Sequence, residues 1–585
     1  MPRVLRDVVG TLTHEGAAAF DLSRTDPLTH LTFTQGAALF QDSFYRTQVE
    51  ELRSYAAALL AAERHERGFG WKFAAYMRDP VKGKGNRVQG SIAPAILAAA
   101  DPEGPFTEEY TFRCLRHRAD DAVLFVTHLE NLGLGAVPEA ARKGLARALA
   151  GFDEYQLLKY SRRQFPLARR RANGKRASLR LVDVMGLVKA HLDARTLKLY
   201  RYLHAPTRER EHLTQGLALL EGRRAFFHGD VSVENFVKGR LSTEQALSFL
   251  GSTRETWRRV LDVPGLLPDL AFKGYVRAMY LAGIPARTLV EMARERRFAG
   301  LWPHQVYMGW AAARNGSNRP GYRAEPAPAL EPVFEAILAR VCEGLLPEGK
   351  SLGIADISGS MFGVSLGGTQ SQATVGDAAV TLAAVMAREL GYAATFSDDI
   401  FVEDRKPGQG VFDHAYALRG GPGWGSTQVA GSVVSLIQLL RSQPSRPRPR
   451  TLYFFSDMQF HPPEFQSLGD TRGEAAERKA ALLRELGVDV DAATPPLLAA
   501  LKAWHRALGP VDVVLWNLAA HDSAPLPSKL PHVLMLAGFD ANSFRHVSAW
   551  QAAGSPATPE RPAVTPADAG AGKNPGAELD FIRTF

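Results

Sequence analysis

From about residue 36 to residue 345, apolar side chains recur at steps of three and four with almost no β-branched alternation, which predicts helix after helix. The stretches 48–64, 92–100, 111–132, 138–150, 182–192, 208–220, 242–250, 254–261, 270–282, 286–296 and 330–345 carry that pattern. Pro, Gly and Asp punctuate the connections, as in Asp101-Pro102-Glu103-Gly104-Pro105. Helices paired over such a length suggest a HEAT-like α-solenoid with degenerate repeats, a compact all-α domain being the alternative.

Near Lys350 the texture changes. Short apolar runs at 352–357, 393–397, 451–456, 511–517 and 532–537 now alternate with helical patterns at 374–390, 428–440, 474–486 and 497–508. Strand and helix in alternation predict a doubly wound parallel sheet covered on both faces. The expected fold class is therefore α plus α/β, in four parts: an N-terminal extension at 1–29, a helical-repeat domain at 30–348, a sheet domain at 349–550, and a flexible Pro/Ala-rich tail at 551–585.

Length changes the picture little: 585 residues, 45% of them apolar, exceed what one core organises. No run of eighteen apolar residues predicts a membrane span, and the opening MPRVLRDVVGTLTHEG lacks the apolar core of a signal peptide. Two cysteines, Cys114 and Cys342, are too few for a disulfide framework or a zinc cluster and suit the cytoplasm. Charge matters more. The net +9 is concentrated before Lys350, whereas 350–550 is slightly acidic, so a polyanion partner is expected for the helical part.

Candidate chemistry falls in two places. Asp356-Ile-Ser-Gly-Ser360 follows the run 352–355, so one carboxylate and two hydroxyls leave a strand end together. Asp and Ser also serve as ordinary turn residues. Two further loops argue for more. Gly425-Ser426-Thr427 precedes a helical run, and Ser456-Asp457 ends another strand, so Asp356, Ser358, Ser360, Thr427 and Asp457 fall on three loops at one sheet edge. Few hard oxygens with positions left open suit a divalent cation, most simply Mg²⁺, in a von Willebrand factor A-like module. Ser397-Asp398-Asp399 is read instead as turn chemistry.

The second place is Lys159–Arg180, KYSRRQFPLARRRANGKRASLR, with nine basic residues and no acidic one. Pro166 and Gly174 interrupt any helix, so much of it is expected to be loop. Lys159, Arg162, Arg163, Arg169, Arg170, Arg171, Lys175, Arg176 and Arg180 could neutralise phosphates, and guanidinium planes and rings could stack on unpaired bases. A solvated basic loop is the plainer reading. No nucleophile–base set emerges, and His304, His414 and His461 are read as surface or packing residues, so an enzyme is not expected.

Together these pieces resemble the Ro/TROVE family, a helical-repeat ring followed by a von Willebrand A-like domain. The resemblance covers roughly residues 30–545. It rests on residues 142–149 leading into Leu158-Lys159-Tyr160, on Leu181-Val182-Asp183-Val184-Met185, and on Leu301-Trp302-Pro303-His304-Gln305. It rests also on DISGSM at 356–361, FSD at 396–398, GST at 425–427 and FSD at 455–457, in the family's order. The resemblance implies an RNA-binding protein with no DNA specificity. It would hold Y RNA-like small noncoding RNA and single-stranded 3′ ends of misfolded RNA in RNA quality control, with a 3′-to-5′ exoribonuclease as a partner. The family's outer RNA-binding Lys maps onto Lys159, its Arg onto Arg163, and its RNA-contacting His onto Lys189 or His191. The family's short Gly-Trp-Ser-His stretch is replaced here by the Arg-rich insertion. A metal-dependent protein-ligand scaffold without specific RNA is the alternative.

Overall fold

The computed structural model describes residues 9–40, 45–161, 163–170, 175–206, 213, 217–230, 232–262, 267–298, 301–319, 322–343, 349–366, 373–421, 425–462, 473–488, 495–521, 523–527, 530, 532–538, 542–552 and 577–585. They fall into two compact units: a sheet-bearing unit of residues 1–65 and 285–581, and a helical unit of residues 66–284 and 582–585.

In the sheet-bearing unit, a six-stranded sheet has the spatial order Val533–Ala537, Asp512–Asn517, Thr451–Ser456, Ser351–Asp356, Tyr392–Phe396, Ile400–Asp404. All neighbours are parallel except the last pair. The four central strands of this order are buried along their whole length, which is why they read as continuous apolar runs rather than as alternation. Ile400–Asp404 is only partly buried and was not expected. The helix Val375–Met386 lies so close to Ser351–Asp356 that a Cβ on Gly353 would meet the Ala383 Cα at 2.5 Å. The chain leaves Ser351–Asp356 toward one side of the sheet and returns to pair Thr451–Ser456 on its other side. The order therefore reverses between those two strands, and their carboxyl ends frame the crevice.

The expected boundaries at 29/30 and 348/349 differ from the observed ones. Val9–Leu12 and Ala18–Asp21 form a hairpin whose second strand pairs with Ser523–Ala524, and Phe20 is buried in the sheet's core. Further on, Tyr307 and Trp310 of helix Pro303–Asn315 pack on Phe412 of helix Val411–Arg419, with ring centroids 5.7 and 5.6 Å apart. For Pro303–Asn315 the reason is that a three-to-four period shows that a helix has an apolar face, not which surface covers it.

The helical unit is built of short helices that pack on near neighbours in sequence: Phe69–Arg78 on Gln89–Ala100, that helix on Ala119–Asn131, and Thr107–Leu115 on Glu139–Ala150. The single helix expected at 111–132 is two, broken at Arg116–Arg118, where Arg118 is extended. The expected loop after Lys159 contains a hairpin of Phe165–Arg170 and Arg176–Leu179. Residues 182–192 divide into the helix Leu181–Leu187 and a tight turn, Lys189–His191. Most of 208–220 lies outside the described residues, and a helix follows at Ala218–Phe227. Within the supposed flexible tail, residues 553–576 lie outside the described residues, but Ala577–Arg583 is a helix with Ile582 fully buried. Arg583 pairs with Glu66 at 2.8 Å, and Arg113 donates to the Phe585 carbonyl. Among the described residues no helix is long and apolar enough to cross a membrane.

Candidate metal centre and nucleic-acid interface

Parallel register sets Phe455 beside Ala355, so the residues that follow, Ser456 and Asp356, emerge side by side. The Ser456 hydroxyl donates to Asp356 Oδ2 at 2.6 Å, and the Ser358 amide donates to Oδ1 at 2.9 Å. The Ser358 and Ser360 hydroxyls lie 3.2 Å apart. Asp457 Oδ1 accepts from the Gln459 amide at 3.1 Å and is further bonded to Ser360. All of these side chains are buried, Asp356 completely.

Thr427 reaches the same edge through His461. The Thr427 amide donates to His461 Nδ1 at 2.9 Å, and the Thr427 carbonyl accepts from the His461 amide at 3.0 Å. Its loop is braced from behind: the Ser397 hydroxyl accepts from the Gly425 amide at 3.1 Å, and Asp398 Oδ1 accepts the Ser426 amide and hydroxyl at 2.8 and 2.7 Å. Ser397 and Asp398, expected to be surface turn residues, instead brace the loop that carries Thr427, and Ser397 is fully buried. Residues 422–424 of that loop lie outside the described residues.

Burial pushes both the Asp356 and Asp457 carboxyls well above the usual carboxylate range, and the Asp356 charge pushes Asp457 further. No Lys or Arg is ion-paired with either among the described residues. The described residues hold no group of three or more His, Cys, Asp or Glu set for a metal. This donor set is of another kind, with hydroxyls in the majority. Two dry carboxylates without a Lys or Arg partner among the described residues, ringed by hydroxyls, fit a hard divalent cation, whose charge would offset both.

Four residues at this edge escaped the sequence reading. Ser456 fixes Asp356, and His461 joins Thr427 to Glu15, whose carboxylate it meets at 2.8 Å. Tyr45 bonds Glu15 and Ser360, and lines a small pocket with Ser360, Asp457, Ala519 and His521. Ser456 lay inside a motif already singled out. Glu15 and Tyr45 gave no signal, being over three hundred residues from the loops they meet. His304 and His414 are buried, the latter with Nε2 3.1 Å from the Glu403 carbonyl.

The basic residues are arranged differently. In the hairpin, Phe165, Leu167, Ala177 and Leu179 are buried while Arg169, Arg170 and Arg176 are exposed. One face seats the ribbon on the unit; the cross-strand partners Arg170 and Arg176 share the other, while Arg169 turns to Glu130 of helix Ala119–Asn131. Lys159 is exposed at the end of helix Glu154–Ser161, its ammonium 5.3 and 5.5 Å from the Tyr155 and Tyr160 rings. Arg163 meets Asp120 at 3.1 Å and lies over the Phe165 ring, Arg169 meets Glu130 at 3.0 Å, and Arg180 meets Asp183 at 3.0 Å. Lys175 and Lys189 are exposed, and His191 meets Glu139 at 2.8 Å. The Arg169–Glu130 and Arg180–Asp183 pairs lie at the surface and hold their arginines weakly, by about 0–1 kcal/mol, so a phosphate can displace the carboxylate, whereas the Asp120 that meets Arg163 is fully buried. Arg162 and Arg171 lie outside the described residues.

No family model and no curated protein matches the chain. Among solved structures it is similar to the crystal structure of the Deinococcus radiodurans RO (RSR) protein, with 15% identity and a TM-score of 0.49 over 89% of this chain and 100% of that one.

Proposed function

We propose that the helical unit binds RNA and that the sheet-bearing unit is a cation-dependent docking module. The chain would thus be a ribonucleoprotein scaffold rather than an enzyme. The observation that carries the first part is the two-faced hairpin, whose buried apolar face makes a rigid support for Arg169, Arg170 and Arg176. Guanidinium groups on such a ribbon, with Lys159 and aromatic rings nearby, suit phosphates and unpaired bases better than a flat protein surface. The RNA classes this reading favours are Y RNA-like small RNA and the single-stranded 3′ ends of misfolded RNA, in cytoplasmic quality control with an exoribonuclease as partner. Mg²⁺ is the cation proposed for Asp356, Ser358, Ser360, Thr427 and Asp457, where it would present a Lewis-acidic position to a partner's carboxylate.

The test is a mobility shift with a small structured RNA carrying a single-stranded 3′ end, across a salt series. Arg169→Glu, Arg170→Glu and Arg176→Glu together should weaken binding on the order of a hundredfold or more and lower the salt slope by about three. Unchanged affinity in that variant would remove the hairpin from the interface. The adhesion-type scaffold without RNA is the second reading, favoured by the metal edge alone. Wild-type protein that ignores RNA at moderate salt would leave it standing.

A further inference from the structure

We infer that the docking position at the cation edge is capped in cis by Tyr45, pinned by Glu15, so that a partner's carboxylate must displace this cap. The inference rests on the cation reading above and adds to it what stands in the partner's way.

The N-terminal hairpin grips the loop that carries Asp457. The Thr13 hydroxyl donates to the Phe460 carbonyl at 2.6 Å, the His14 amide donates to Gln459 Oε1 at 2.8 Å, and Glu15 Oε2 accepts from His461 Nε2 at 2.8 Å. Gln459, Phe460 and His461 are the residues just after Asp457 and Met458. The hairpin is itself fixed, since its second strand pairs with Ser523–Ala524 and Phe20 is buried.

Tyr45 then reaches over the edge. Its ring stacks on His14 at 5.0 Å and meets His521 edge-on at 5.5 Å. Its hydroxyl is bonded to the Glu15 carboxylate and to Ser360. Tyr45 thereby lines the same pocket as Ser360 and Asp457, two of the proposed cation ligands. A neutral phenol adds no charge beside two buried carboxylates and closes the pocket as a carboxylate ligand would. Glu15 stays one step back, held by its hydrogen bonds with His461 and Tyr45. An incoming acidic side chain would meet the phenol first.

The cap has a measurable cost. If it is closed about nine-tenths of the time, the apparent affinity for a carboxylate is about tenfold below that of the open edge. The experiment uses the full chain with Mn²⁺ followed by electron paramagnetic resonance, and glutarate binding read from water-proton relaxation of the bound Mn²⁺. Tyr45→Ala and Glu15→Gln should both bind Mn²⁺ and should both bind glutarate about tenfold more tightly than wild type. The gain should vanish when Asp356→Ala is added. Mn²⁺ bound in all forms with equal glutarate affinity overturns the cap and leaves the cation site intact. Mn²⁺ bound by none of them, wild type included, overturns the cation reading and the cap with it. Where circular dichroism shows Tyr45→Ala unfolded, Glu15→Gln decides, because it removes the pin and keeps the ring.

Discussion

Each unit buries a pair of aspartates, and the two pairs are treated in opposite ways. In the helical unit Asp120 and Asp121 are fully buried at the start of helix Ala119–Asn131. Arg78 meets Asp121 at 2.5 Å, Arg87 meets both carboxylates, and Arg118 and Arg163 meet Asp120. In the sheet-bearing unit Asp356 and Asp457 are as dry, but their neighbours are hydroxyls and amides. Where the chain supplies its own cations, the buried carboxylates serve the fold. Where it supplies only neutral donors, the pair is left without a compensating charge of its own, and that is the condition under which a divalent cation is proposed there.

That contrast breaks first in the helical unit. Arg78→Met leaves Asp121 with Arg87 alone and should cost about 3 kcal/mol, because a buried carboxylate that loses one of its two guanidinium partners is under-compensated. The corresponding change in the other unit, Asp356→Asn, should leave the metal-free protein no less stable, since it relieves repulsion with Asp457. Thermal or denaturant unfolding compares them directly. Equal destabilisation by the two variants would mean that the difference in partners does not matter. The second effect is on Mg²⁺. At a hundredfold excess over its dissociation constant, the ion should stabilise wild type by about 2.7 kcal/mol and leave Asp356→Asn and Asp457→Asn unmoved. Stabilisation that persists in both variants would place the ion elsewhere.

The legible parts of this molecule are those where one short stretch holds both the element and the chemistry. Ser351–Asp356 and Thr451–Ser456 are apolar runs that stop at a carboxylate or a hydroxyl, so strand, strand end and the side chains at that end were readable together. The exposed basic face was readable from composition, but its hairpin was missed. Pro166 drew attention to what could not be helix, while Phe165/Leu167 and Ala177/Leu179 already alternated around Asn173-Gly174, a common hairpin turn pair. The two-aspartate cluster was invisible because nothing in Asp120-Asp121 says that arginines 78 and 87 will arrive. The same holds for Glu15 and Tyr45 at the edge where the cation is proposed. Contacts between distant segments are set by packing, and a single sequence shows only the faces that must be covered.

The smallest effect probes how Thr427 is held. A Cβ on Gly425 would lie 2.3 Å from Asp398 Oδ2 and 2.5 Å from Oδ1, well inside contact distance. Gly425→Ala therefore forces the loop away from Asp398, straining the bonds that Asp398 receives from Ser426 and that Ser397 receives from Gly425. The strand ends carrying Asp356 and Asp457 are untouched, so the unit should fold and keep four of its five proposed ligands. Mn²⁺ affinity should fall several-fold, on the order of 1 kcal/mol. Thr427→Val, which removes the hydroxyl and keeps the shape, should give a loss of similar size, and the two together little more than either. Independent, additive losses would show that the loop acts through something other than Thr427. No loss in either variant would reduce the ligand set to the two strand ends, and the contrast with the arginine-filled cluster would then rest on Asp356 and Asp457 alone.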